Sequence, residues 1–67
     1  MNNGGPALVM EMYEQLKEMV EAAATDVAKA TGGNKAAGTR VRKAMQEIKD
    51  TAQTVRKQIL EVRSQGT

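Results

Sequence analysis

One internal break, Gly32-Gly33-Asn34, divides a chain that is otherwise made of helix formers. The other stretch of backbone-permissive residues is Asn2-Asn3-Gly4-Gly5-Pro6, at the start. Between and after them run two long segments dense in Ala, Glu, Gln, Lys, Met and Arg, the pattern of two helices joined by a tight reversal. Pro6 suits a first helical turn, where its missing N–H costs nothing, so helix one is predicted over about residues 6–30. Gly32 and Gly33 supply a left-handed C-cap and the reversal, in a turn over 31–34. Helix two is predicted over about residues 35–63, with Asn34 as its N-cap. Its alternative start, capped by Thr39, follows if Gly38 breaks the segment, since an interior glycine costs roughly 1 kcal/mol relative to Ala. The expected fold class is all-α: a single domain over residues 1–67, folded as an antiparallel two-helix hairpin.

A chain of 67 residues buries only about 60% of the surface that it exposes when unfolded. The usual remedies are missing, because without Cys or His there is neither a disulfide nor a Cys/His zinc site. With 40% hydrophobic and 27% charged residues the composition is not that of a disordered chain, so apolar surface must be buried somewhere. Association with further copies is the remaining route. The same absences remove the thiol nucleophile and the imidazole base, and the single serine, Ser64, stands close to the C-terminus. Asp26, Glu47, Asp50 and Glu61 form no paired-carboxylate or metal-like cluster. An enzyme is not expected, nor a catalytic residue, a cofactor, a metal or a small-molecule substrate. No stretch approaches the ~18 consecutive apolar residues of a membrane span, and the Asn-Gly-Gly start lacks the regions of a signal peptide. The expectation is a soluble, cytoplasmic protein without a membrane partner.

Helix two carries the clearest periodicity. Val41, Met45, Ile48, Ala52, Val55, Ile59 and Val62 alternate steps of four and three, a heptad seam. In helix one, Val9, Met12, Leu16, Met19 and Ala23 form one seam, and Tyr13, Leu16, Val20, Ala23, Val27 and Ala30 an overlapping second. So wide a stripe suits a helix with two neighbours, whereas a hairpin offers only one. The hairpin is therefore expected to dimerise into a coiled-coil-like four-helix bundle, with an assembly of more copies as the alternative. Leu16, Val20, Val41, Met45, Ile48, Val55, Ile59 and Val62 are the expected core and dimer seam. Tyr13 and the methionines Met10, Met12 and Met19 are read as core filler, with base stacking and a protein-binding face as their respective alternatives.

The net charge of +2 hides a polarity. Residues 1–34 hold two Lys and five acidic residues, a net −3, whereas residues 35–67 hold eight Lys or Arg and three acidic residues, a net +5. Asymmetry of this kind points to an anionic partner for one half. With Met45 and Ala52 as a positions, every e position of helix two is basic: Arg42, Lys49, Arg56 and Arg63. Lys43 and Lys57 adjoin at f, and Lys35 and Arg40 stand on the first turns. At 1.5 Å per residue the e side chains recur every ~10.5 Å and span ~32 Å, close to the ~34 Å of one DNA turn. The competing reading is a solvated stripe that pairs with acids of a partner helix. With Val9 as a, however, Glu11, Glu14, Glu18 and Glu21 fall at c and f, away from the helix-one seam, where Lys17 interleaves with them.

Gly33 and Gly38 have the separation of a nucleotide-binding loop, but no Lys precedes Thr39 and no strand precedes the loop, so a P-loop is excluded. What remains is a helix N-terminus beside Lys35 and Arg40, suited to one backbone phosphate.

The run Gly33-Asn34-Lys35-Ala36-Ala37-Gly38-Thr39-Arg40-Val41-Arg42-Lys43, with Met45-Gln46-Glu47-Ile48-Lys49 and Val55-Arg56-Lys57, resembles the chlamydial-type bacterial linker-histone-like family over roughly residues 8–63. The resemblance implies a nucleoid protein that binds and compacts DNA, with an N-terminal helical region linked to self-association. It gives most weight to Lys35, Arg40, Arg42 and Lys43, which lie inside the matching run. Chlamydial members carry a long Lys- and Ala-rich tail; this sequence has none after Ser64-Gln65-Gly66-Thr67, which leaves helix two as the expected DNA surface. The partners expected are therefore double-stranded DNA, bound through phosphates at Lys35, Arg40, Arg42, Lys43, Lys49, Arg56, Lys57 and Arg63 without base specificity, and a second copy of the chain. A structural or adaptor bundle that binds a partner helix is the rival expectation, and an oligomerisation segment of a larger protein is a third.

Overall fold

A computed structural model describes the backbone of residues 5–66 and the side chains of residues 7–63. Helix α1 spans Gly5–Ala22, α2 Ala24–Thr31 and α3 Lys35–Gly66. α1 and α2 together form one arm of a hairpin and α3 the other, over an extent of 50 × 17 × 14 Å. Helix one, expected as continuous, is interrupted at a single residue, Ala23. Its dihedrals stay helical, φ −79° and ψ −12°, but its N–H is shared between the carbonyls of Met19 and Val20, each at 3.2 Å. The turn there is tightened toward 3₁₀ geometry. Asn2, Asn3 and Gly4, part of the expected opening break, lie outside the described residues.

The reversal is a Schellman motif. Gly33 takes the left-handed position, φ +102°, its N–H donates to the Ala30 carbonyl, and the Asn34 N–H donates to the Lys29 carbonyl, both at 3.0 Å. Gly32 keeps a negative φ of −83°, so only one of the two glycines supplies the left-handed residue. Asn34 then changes role: its Oδ1 accepts the Ala37 N–H at 2.9 Å. This is the N-cap expected for helix two, and it satisfies one of the donors that a helix start leaves free. The helix runs through Gly38 without a break.

The hairpin seam of α3 is not the row that sequence spacing favours. The covered residues of α3 follow one row, Ala37, Val41, Ala44, Ile48, Thr51, Val55, Gln58 and Val62, with Gly38, Ala52 and Thr54 half-buried beside it. This row keeps the four-three rhythm but takes Ala44, Thr51 and Gln58 in place of the flank Met45, Ala52 and Ile59, of which Met45 and Ile59 are exposed and Ala52 stays half-buried. Across it lie Val9, Met12, Leu16, Met19 and Ala23, the first of the two helix-one seams, continued by Asp26 and Ala30. Small side chains decide the choice: Ala37 and Ala23, the fully covered residues among those described, are 0% and 6% exposed. Ala37 lies beside the turn, and Ala23 lies further along, where it lines a groove with Ala44 and Glu47. Further along, the Thr51 hydroxyl donates to the Met19 sulfur at 3.4 Å, and the Gln58 Oε1 is buried without a partner.

The second helix-one seam is therefore covered only at Leu16, Ala23 and Ala30. Tyr13, Val20 and Val27 on the first arm, and Met45 and Ile59 on α3, are all more than 40% exposed. Tyr13, expected in the core, carries Lys17 Nζ 5.5 Å from its ring centroid. Of the expected core and dimer seam, Leu16, Val41, Ile48, Val55 and Val62 lie half-buried between the arms, while Val20, Met45 and Ile59 face outward.

Candidate nucleic-acid interface

Residues seven apart on a helix share one face, and one residue on from the Val41 row turns the side chain by about 100°. The residues at that position are Lys35, Arg42, Lys49, Arg56 and Arg63, all exposed. Lys35, on the first turn of α3, is in register with the other four. At 1.5 Å per residue the five cations cover about 42 Å, most of the length of the molecule. The row lies one step further from the first arm than a flank of the hairpin seam would, so no described side chain of α1 or α2 covers it.

Lys43 and Lys57 stand behind this row and are exposed as well. Asp50 shares their line and accepts a hydrogen bond from Gln46 Nε2 at 3.3 Å. Glu47 stands on the opposite flank of α3, in a shallow groove shared with Ala22 and Ala23 of the first arm. The basic row is thus free of carboxylates along its length. Arg56 Nη1 donates to Gln53 Oε1 at 2.9 Å, a neutral contact that holds the guanidinium along the helix without discharging it.

Arg40 is different. Its Nε donates to Asp26 Oδ2 at 3.0 Å and its Nη2 to Oδ1 at 2.9 Å, a bidentate pair between α2 and the first turns of α3. The hydrogen bond from Arg40, followed by its charge and that of Lys29, holds the Asp26 carboxyl below its usual value, and the same pairing raises Arg40. Arg40 therefore belongs to the clasp of the hairpin, while the other seven expected phosphate-binding residues remain open to solvent. The other ion pair among the described residues, Lys17 with Glu14 at 3.3 Å, lies wholly on α1. The clasp has no heptad signature, since Asp26 and Arg40 meet only because the turn folds them together.

The arrangement can present positive charge to a linear polyanion at regular intervals, but it offers no means of reading bases. Base-reading helices gather Asn, Gln and Arg at one end, where they enter the major groove; here the cations run the length of the helix. Among the described residues no group of His, Cys, Asp or Glu could hold a metal ion. No described helix is long and apolar enough to cross a membrane.

No curated protein and no solved structure matches the chain. A family model does, that of the histone H1-like protein Hc1, over residues 10–65. The match spans most of both arms and includes the whole turn. The family is one of non-enzymatic, DNA-binding nucleoid proteins. The chain, with its acidic first arm and its cation row on α3, belongs to this histone H1-like Hc1 family.

Proposed function

We propose that the protein is a nucleoid-associated homodimer that binds double-stranded DNA without base specificity and organises it through phosphate contacts from α3. The observation that carries this reading is the unpaired row Lys35, Arg42, Lys49, Arg56 and Arg63, with Lys43 and Lys57 behind it. Such a row gains affinity chiefly by releasing counterions from the duplex, so binding is salt-sensitive and indifferent to sequence. The triple variant Lys35→Glu, Arg42→Glu, Arg63→Glu removes three phosphate contacts at exposed sites. Its helicity should be unchanged, and in mobility-shift titrations log affinity against log salt should be shallower by about three. An unchanged slope would move the contact surface elsewhere.

The uncovered apolar rows favour a second reading, an adaptor bundle whose charges only keep it in solution. Co-purification separates the two. DNA binding predicts nucleic acid carried through at low salt and shed at high salt, whereas the adaptor reading predicts a protein partner at either.

A further inference from the structure

Gly32, Gly33 and Gly38 follow one another around the turn, and the first two have a structural reason. Gly33 supplies the positive φ of the reversal, and the Gly32 N–H closes the end of α2 on the carbonyls of Ala28 and Lys29. Gly38 serves neither purpose. It has no positive φ, its N–H makes the ordinary helical bond to the Asn34 carbonyl at 3.0 Å, and α3 continues past it to Gly66. A methyl group built on its Cα would meet nothing within 4 Å outside its own turns of helix, so close packing of the arms does not exclude a side chain there. Glycine is, after proline, the residue least suited to a helix interior, and alanine at this position would stabilise the hairpin. The fold itself has no use for Gly38.

What surrounds the bare position is charge. Residues three and four apart are neighbours on a helix surface, which sets Lys35 on one side of Gly38 and Arg42 on the other, both exposed and neither paired with a described carboxylate. Further along α3 the cation row is bordered by the side chains of Met45, Ala52 and Ile59, at seven-residue steps from Gly38. At Gly38 that border has no side chain. Lys35 lies about 4.5 Å from it along the helix axis and Arg42 about 6 Å in the other direction, so both long side chains can close on one group seated between them. Two unpaired cations select an anion for that seat, since an apolar helix packed there would leave both charges buried without a partner. The Gly38 N–H is already taken up by Asn34, so the glycine contributes space, and the hydrogen bonds come from Lys35 and Arg42.

We propose that Gly38 is the seat of one DNA phosphate. The bare Cα lets the phosphodiester come closer to the helix than it can beside Met45 or Ile59, and Lys35 and Arg42 hold it from either side. The inference rests on the DNA-binding reading above and deepens it: Gly38 is a positioning residue that fixes where the duplex backbone sits on α3. The helix gives up stability at this position in exchange for the close approach.

Gly38→Ala separates this role from a structural one, because stability and binding should move in opposite directions. The thermal midpoint, followed by circular dichroism, should rise by about 4–8 °C, while affinity for a duplex at fixed salt, read by mobility shift, should fall about tenfold. In a Lys35→Ala, Arg42→Ala background the same methyl group should raise the midpoint equally and leave the residual affinity unchanged, since the seat has already lost both cations. An equal loss of affinity in both backgrounds would overturn the proposal. So would a loss that follows a change in sedimentation, which would assign the glycine to a contact between copies. Wild type and Gly38→Ala binding the duplex equally well would remove the seat and leave the DNA-binding reading standing, whereas wild type that binds no duplex at low salt would remove both.

Discussion

Single residues here do work that their types do not announce. Asp26 sits among alanines and looks like a surface charge, yet its bidentate pair with Arg40 is the one ion pair between the arms among the described residues. Because the pairing holds the Asp26 carboxyl below its ordinary value, its contribution to stability is present above the unfolded carboxylate value, about 3.9, and is lost as pH falls through the lower folded value. Replacing Asp26 with Asn should lower the thermal midpoint at neutral pH, and the gap from wild type should close near pH 2. Thermal unfolding followed by circular dichroism at the two pH values checks this, and a gap of equal size at both would remove the clasp from the account. Neither partner has a periodic signature. What the sequence did show at this scale was the cap: a glycine that needs a positive φ followed by an Asn, a combination that both ends one helix and starts the next.

Among the elements, the order helix, turn, helix was legible because only two breaks interrupt the helix formers. The heptad spacing of α3 was legible too, but spacing fixes a stripe without fixing which side of it a given neighbour takes. α3 has a shared row, Val41, Ile48, Val55 and Val62, flanked on one side by Ala44, Thr51 and Gln58 and on the other by Met45, Ala52 and Ile59. The larger, more apolar flank looks like the seam in sequence. Within the hairpin the smaller flank wins, because the arms pack closely only where Ala37 and Ala23 allow it. The break at Ala23 was not legible at all, since alanine is the strongest helix former and the interruption consists of one shared hydrogen bond. Ala37 tests the close approach. With its side chain fully covered, Ala37→Leu should force the arms apart beside the turn and destabilise the hairpin by about 1–3 kcal/mol in urea unfolding. A neutral effect would mean that the contact is looser than the burial implies.

At the scale of the whole molecule, the small net charge of +2 is a sum that conceals its parts. Folding back at Gly33 puts an acidic arm beside a basic one, and the cation row of α3 stays clear of the carboxylates of the first arm. The cationic row suits a phosphate backbone. Family membership fixes the general activity, and the row on α3 is our account of how this chain carries it out. The salt dependence of duplex binding tests that account most directly. If about five phosphates are neutralised, log affinity measured by mobility shift should fall with log salt at a slope near −4.5, equally for duplexes of unrelated sequence. A flat salt dependence, or no binding at low salt, would contradict it.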